Sequence, residues 1–187
     1  MVGIPDGLGA FDNGDGTFTV LMNHELGSGA GIVREHGTIG AFVSKWIIRK
    51  SDLTVLHGED LIRNVATWNG STWNAPAKTG TFNRFCAADL PLLSAFYDPS
   101  TVLGYNDRIF MNGEETSTEG RAFAHLMDGT SYELPRLGKM AFENVVAHPG
   151  TGVTTLVAAL DDGTGGQVYM YIGTKTNTGN PAQKAGL

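Results

Sequence analysis

Glycine-containing turns between short β-prone runs most restrict how this sequence can fold. The chain of 187 residues has 26 glycines but only 7 prolines. Turns rich in Gly, Asn and Asp between β-branched and aromatic runs are typical of many short antiparallel strands. No long stretch has the apolar spacing of an amphipathic helix, and the best short-helix candidate is residues 87–96. We therefore expect an all-β fold.

Four pairs of neighbouring runs have the composition of β-hairpins. Their residues are 9–11 with 17–25, 40–48 with 53–62, 121–127 with 131–134, and 154–160 with 167–172. Another short strand is expected at residues 108–111. Residues 66–81 read as a long loop or lid, and the candidate insertion extends over 66–100. The length favours a single domain over residues 1–187.

Three apolar runs end in acidic residues and continue into a Gly-containing turn or loop. The acidic ends are Glu25, Glu114 with Glu115, and Asp161 with Asp162. Their spacings correspond to about two blades and about one blade of a β-propeller, whose blades typically have roughly 40–50 residues. The pattern predicts a partial propeller of four-stranded antiparallel blades with long connecting loops.

Carboxylates at equivalent strand ends would converge at one mouth of a propeller channel. Like charges that lie close together repel one another, and a bound cation relieves that repulsion. Calcium accepts six to eight oxygen ligands, which Glu, Asp and Asn side chains can supply. The alternative is that these residues are ordinary polar turn residues. The recurrence of the pattern favours metal binding.

Charge and composition exclude some classes of protein. The formal net charge of −6 argues against a nucleic-acid-binding protein, which needs a basic surface. No apolar run approaches the about 20 residues that span a membrane. The first residues lack a basic and an apolar region, so we expect no signal peptide in this chain. Cys86 is the single cysteine, which excludes an intrachain disulfide and leaves a buried hydrophobe, a ligand or a nucleophile.

Three further sets of residues leave alternatives open. Arg84 and Arg121 lie in sequence near Cys86 and the Glu114–Glu115 pair, and either could hold a phosphate group bidentately or form a salt bridge. His24 stands beside Glu25, where a structural role is favoured over metal ligation. A serine with His24 or His36 would suit a non-metal ester hydrolase, although only the residue types support it.

The ordered motifs of the chain resemble those of the PhoX-type alkaline phosphatases, a group of secreted bacterial β-propeller phosphoesterases. The resemblance runs over essentially the whole chain, and its specificity comes from order and spacing, since each motif is short. The motifs are Pro5-Asp6-Gly7-Leu8-Gly9-Ala10, Met22-Asn23-His24-Glu25, His36-Gly37, Arg84-Phe85-Cys86, Asn112-Gly113-Glu114-Glu115, Gly120-Arg121, Glu143-Asn144, Asp161-Asp162 and Gly173-Thr174-Lys175.

The resemblance implies a site with calcium and iron that hydrolyses small phosphate monoesters. Cys86 matches an iron ligand, Glu114 and Glu115 match carboxylate metal ligands, and Glu25 matches a further calcium ligand. Asp161 completes the expected metal set, with Arg84 and Arg121 as expected catalytic residues. The metal ions would bind the phosphoryl oxygens and offset charge in the transition state. The resemblance also implies a secreted or periplasmic location.

The length of the chain departs from the family, because a complete propeller of this type needs more than twice as many residues. An open partial ring exposes strand edges, and a homodimer or other homo-oligomer would cover them. One alternative function is a non-catalytic, calcium-stabilised fragment that acts as a binding or structural module. A second alternative is a carboxylic ester hydrolase.

Overall fold

A computed structural model describes residues 2–187, and its regular structure is almost entirely β-strand. The strands are β1 (Ile4–Asp12), β2 (Thr17–Glu25), β3 (Phe42–Arg49), β4 (Val55–Asp60), β5 (Asn64–Ala66), β6 (Phe85–Asp89), β7 (Tyr97–Asp98), β8 (Leu103–Gly104), β9 (Ile109–Glu114), β10 (Ala122–Leu126), β11 (Thr130–Glu133), β12 (Phe142–Ala147), β13 (Thr154–Asp161) and β14 (Val168–Thr174). The helical segments are α1 (Pro181–Lys184) and two 3₁₀ turns, Leu93–Ala95 and Pro135–Leu137. No helix in the described part of the chain is long and apolar enough to cross a bilayer. The expected all-β fold is confirmed.

The strands form three main sheets, with β7 and β8 as a small separate pair. The first sheet has the order β1-β2-β3-β4, the second β5-β11-β10-β9-β6, and the third β12-β13-β14. All neighbours pair antiparallel except β5, which is parallel to β11. The edge strands β1, β6 and β12 lie beside one another. The sheets are thus arranged as consecutive blades of an open, propeller-like fold.

All four predicted hairpins are present, as β1–β2, β3–β4, β10–β11 and β13–β14. The predicted interval of two blades between Glu25 and Glu114 is wrong, because β2 and β9 lie in adjacent sheets. The irregular residues 67–84 and the short β5, β7 and β8 lengthen that interval. Within the candidate insertion 66–100, β6 forms the inner edge of the second sheet.

The short helix predicted at residues 87–96 is wrong. Residues Phe85–Asp89 form β6, which pairs with β9, and only Leu93–Ala95 is helical. The Phe85 side chain is fully buried in the core. Burial of a large apolar side chain contributes about 1.5–3 kcal/mol, which outweighs the modest helix propensity of the two alanines that follow Cys86.

Two apolar cores hold the sheets together. Between the first and second sheets, aromatic side chains of the second sheet and of the loop before it pack on Leu21 and Val43. The second core joins the second and third sheets and contains Met111, Phe142 and Val157. A Cβ atom at Gly113 would lie 2.3 Å from the Cβ of Phe142, so only glycine lets β9 and β12 approach this closely.

A column of buried polar side chains crosses the interface of the first and second sheets. The Nδ2 atom of Asn23 donates to the backbone carbonyls of Cys86 (2.7 Å) and Ala87 (3.3 Å). The Oδ1 atom of Asn23 accepts from Asn112 Nδ2 at 2.9 Å, and Asn112 Oδ1 lies 2.8 Å from His125 Nε2. His125 Nδ1 lies 2.7 Å from Ser131 Oγ. The carbonyls only accept, so they fix the direction of every hydrogen bond in the column.

We expect the substitution Asn23→Ala to lower the free energy of unfolding by about 2–4 kcal/mol, because it leaves two buried groups without partners. These are the Cys86 carbonyl and the Asn112 amide. Urea denaturation of the variant and of Asn177→Ala measures the difference. Asn177 is exposed, so its replacement should change stability by less than about 0.5 kcal/mol. Equal stability of the two variants would contradict a structural role for the column.

Because of two buried histidines, we expect the free energy of unfolding to decrease as the pH is lowered. Burial lowers the pKa of His36 and of His125, in the second case to about 3. The unfolded chain binds protons near the usual histidine pKa of about 6.5. Below that pH the unfolded chain binds protons that the folded chain does not. Each histidine therefore lowers the free energy of unfolding by up to about 1.4 kcal/mol for each unit by which the pH decreases.

Urea titrations between about pH 7.5 and about pH 5.5 measure this slope. The variant His125→Gln should have a smaller slope than the wild type, because it takes up one proton fewer on unfolding. His148→Gln is the control, since that histidine is exposed. A slope unaffected by His125→Gln would show that His125 does not titrate as its burial implies.

Candidate metal centre

Three neighbouring edge strands direct one metal-ligating side chain each towards the same region. These residues are Asp6 on β1, Cys86 on β6 and Glu143 on β12. The Sγ atom of Cys86 lies 3.2 Å from Asp6 Oδ2. One carboxylate oxygen of Glu143 lies within 4.8 Å of that sulfur. The inner edges of all three blades therefore contribute to one cluster.

Each of the three residues sits where its strand departs from regular pairing. The register shifts between Pro5 and Leu8 on β1, between Phe85 and Ala88 on β6, and between Phe142 and Asn144 on β12. A β-bulge bends its strand and redirects a side chain that would otherwise follow the alternation of the sheet. The cluster is thus built by three irregularities at corresponding edges.

Gly7 allows the first two of these strands to meet. A Cβ atom there would lie 2.3 Å from the backbone nitrogen of Ala88 and 2.6 Å from the carbonyl carbon of Ala87. Such contacts are impossible for any larger residue without moving the backbone. The glycine therefore lets the backbone of β1 approach β6 directly beside Asp6 and Cys86.

Glu115, which follows β9, completes the cluster. One of its carboxylate oxygens, one of Glu143 and the Cys86 sulfur all lie within 4.8 Å of one another. All three side chains are half-buried, which leaves the cluster accessible to a small ligand. The Glu115 backbone N–H also donates to the carbonyl of Arg84 at 3.0 Å, which fixes the start of the loop after β9.

The cluster crowds acidic groups together. Burial, followed by hydrogen bonds to Asp6 and Glu115, raises the pKa of the Cys86 thiol well above its usual range. Burial and the charges of Glu115 and Asp162 likewise raise the pKa of Glu143. Proteins relieve such crowding of acids by protonating one member or by binding a positive ion.

Arg84 connects two of the predicted metal residues. Its Nη2 atom lies 2.6 Å from Glu25 Oε1 and 3.0 Å from Glu115 Oε2. The hydrogen bond to Glu25, opposed by burial and aided by the charge of Glu115, raises the pKa of the guanidinium. The backbone of Arg84 has φ of 45°, a left-handed conformation that non-glycine residues adopt rarely. Its side chain remains 46% exposed beside the cluster.

Glu114 and Arg121 form a separate ion pair, in which Glu114 is buried and Arg121 is half-buried. Arg121 Nε lies 2.8 Å from Glu114 Oε2, and Arg121 Nη2 lies 2.8 Å from Glu114 Oε1. The carboxylate also accepts from the backbone N–H groups of Asn83 and Arg121. Burial works to lower the pKa of Arg121, but its contacts with Glu114 outweigh burial and raise it. These hydrogen bonds direct Glu114 to Arg121, whereas its neighbour Glu115 joins the cluster.

Asp161 lies at the end of β13 and caps the turn that follows. Its Oδ1 atom accepts from the backbone N–H of Gly163 at 2.9 Å, the geometry of an Asx turn. The next residue, Asp162, is exposed, and its charge acts on Glu143. The acidic ends of β2, β9 and β13 each lie on the strand next to the inner edge strand of their sheet, where Glu25, Glu114 and Asp161 pair with the first residues of that edge strand.

The donor set suits a metal that accepts both sulfur and oxygen. A thiolate with two or three carboxylates fits iron or zinc, and calcium accepts only the oxygen ligands. Deprotonation of Cys86 requires that the metal offset the surrounding negative charge. The residues that could hold a metal are therefore Cys86, Glu115 and Glu143, with Asp6 as a further oxygen donor.

Sequence reasoning did not place Asp6 and Glu143 in the site. Both occur in motifs that carry the family resemblance, but neither stands at an acidic strand end of the repeating pattern. Asp6 precedes the glycine that permits close packing, and Glu143 lies with Asn144 between two short apolar stretches. Their convergence depends on bulges in the strands and on contacts between sheets that are distant in sequence, which no local pattern specifies.

Comparisons with known proteins returned no match to a family model, to a curated protein or to a solved structure.

Because Glu114 pairs with Arg121, we expect its replacement to affect the stability of the fold. Glu114→Gln leaves the Arg121 guanidinium without its charged partner and should lower the free energy of unfolding by about 3 kcal/mol. Glu119→Gln, at an exposed pair with Lys139, should cost less than about 1 kcal/mol. Thermal and urea unfolding measure both variants. Similar stabilities would contradict a structural role for the pair of Glu114 and Arg121.

Proposed function

We propose that this chain is a metal-dependent phosphoester hydrolase, with the chemistry that its resemblance to PhoX-type alkaline phosphatases implies. One observation carries the proposal. The inner edges of three blades bring Asp6, Cys86 and Glu143 together with Glu115, and the three edge residues each lie at a register shift. A fold rarely disrupts three ladders at one place without a functional reason, because each bulge leaves a residue outside the ladder.

In this proposal Cys86, Glu115 and Glu143 would hold iron, and the remaining carboxylate oxygens, with Asp6, would hold calcium. When bound, the metal ions supply Lewis acidity towards the phosphoryl oxygens of the substrate. They also explain how a chain of net charge −6 accepts an anionic phosphate ester. The carboxylates would give the site a negative potential that attracts cations before the substrate binds.

Arg84 is the proposed phosphate-orienting residue. Its guanidinium is fixed by Glu25 and Glu115, yet almost half of its surface is open to solvent. A planar guanidinium donates two parallel hydrogen bonds to a phosphate group and would hold it in one orientation beside the metal. Arg121 shares no contact with the cluster and instead holds Glu114, so the proposal gives it a structural role.

The substitutions Cys86→Ser and Glu143→Gln are expected to lower both bound metal and turnover of p-nitrophenyl phosphate by at least about tenfold, a loss typical of altered metal surroundings. Elemental mass spectrometry on protein purified without chelators measures the metal, and release of p-nitrophenol measures turnover. Asp128→Asn is the matched control, since Asp128 is exposed in the turn between β10 and β11.

Two outcomes would reject the proposal in different ways. Metal-free protein with full turnover would show that the reaction does not need the cluster. Protein that binds calcium, gains thermal stability from it and has no turnover would identify a calcium-stabilised binding or structural module.

A further inference from the structure

A cleft of about 780 Å³ lies on the first sheet, away from the candidate metal centre. Side chains alternate between the two faces of a strand, and Val43 of β3 packs into the core shared with the second sheet. Its neighbours Phe42 and Ser44 therefore point to the opposite face, where they line the cleft with Trp46. His24 of the adjacent strand β2 lies in the same lining.

Hydrogen bonds in the cleft fix the protonation of His24. Its Nδ1 atom lies 2.6 Å from the backbone carbonyl oxygen of Val2, which can only accept, so Nδ1 carries the hydrogen. The lone pair of Nε2 then faces Ser44 Oγ at 2.8 Å, and the serine hydroxyl donates to it. Trp46 Nε1 donates to the same serine oxygen at 2.7 Å. The serine proton is thereby directed at an unprotonated ring nitrogen.

Stacking holds this imidazole in place. The ring of His24 is parallel to that of Phe42, with centroids 4.0 Å apart and an angle of 6° between the planes. The guanidinium carbon of Arg34 lies 3.7 Å from the centre of the Phe42 ring and therefore occupies the face of Phe42 opposite His24. Asp60 pairs with Arg34 and anchors this stack. A base fixed by a carbonyl on one side and by stacking on its face is pre-organised for proton transfer.

We propose that Ser44 and His24 form a nucleophile–base pair that hydrolyses carboxylic esters in this cleft, independently of the metal centre. The arrangement has the features expected of an activated serine: a hydroxyl donating to a neutral imidazole whose second nitrogen is held by an acceptor. The apolar surfaces of Val2 and Trp46 favour an ester with a short apolar acyl chain. The volume of the cleft is in the usual range of roughly 300–1,000 Å³ for small-molecule sites.

The reaction is balanced with water as the co-reactant. Ser44 Oγ forms a bond to the ester carbonyl carbon while its proton passes to His24 Nε2. The tetrahedral intermediate then breaks its bond to the leaving alcohol, which takes that proton from His24. Water attacks the resulting acyl-serine, gives a proton to His24, and the proton returns to Ser44 as the carboxylic acid leaves.

The test uses the whole chain in EDTA, which removes any contribution of bound metal. We expect a fluorophosphonate probe to label one residue, and peptide mapping to place the adduct on Ser44. Hydrolysis of p-nitrophenyl butyrate should fall to the buffer rate in Ser44→Ala and by at least about 100-fold in His24→Asn, the usual contribution of a general base. Ser71→Ala, at an exposed turn, is the control and should keep wild-type turnover.

Mapping on the wild-type protein needs no variant, so the proposal remains testable if Ser44→Ala fails to fold. An unlabelled Ser44, or an adduct on another residue, would overturn it, because a purely structural serine does not react. The metal-dependent phosphoester hydrolase is tested separately, because that activity would be lost in EDTA and is measured with a phosphate ester.

Discussion

The arrangement of the molecule depends on the hydrogen-bonded column that begins at Ser131 and ends at the backbone of Cys86. Through Asn112 and Asn23 it connects the second sheet to the first at full burial. Apolar packing alone tolerates small sliding between sheets, but hydrogen bonds of fixed direction do not. The column therefore sets the relative position of β2, β6 and β9.

The same column positions the candidate metal centre. Asn23 holds the carbonyls of Cys86 and Ala87 inside the bulge of β6, which determines where the Cys86 sulfur points. The neighbouring ion pair of Glu114 and Arg121 fixes the end of β9, so that Glu115 turns towards that sulfur. Interior polar contacts thus organise an acidic cluster whose own members repel one another.

Much of the strand pattern could be predicted from the sequence, because turn residues and alternating apolar residues act locally. The hairpin of β1 and β2 is an example, since an Asn-Gly and Asp-Gly turn specifies it. The strand β6 was missed because its conformation comes from pairing with β9 and from burial of Phe85, both of which are distant in sequence. Cys86 and Glu115 were recognised as site candidates, whereas Glu143 and Asp6 reach them only through irregular pairing.

The bulges have a consequence for how such a chain tolerates insertions and deletions. Removing one residue from a bulge would restore a regular ladder on that strand, which the fold accepts readily. The side chain at Asp6, Cys86 or Glu143 would then turn to the opposite face of its sheet. A single-residue deletion at one of these three edges would therefore leave the chain able to fold with a better-paired sheet. The side chains of the cluster would no longer lie together.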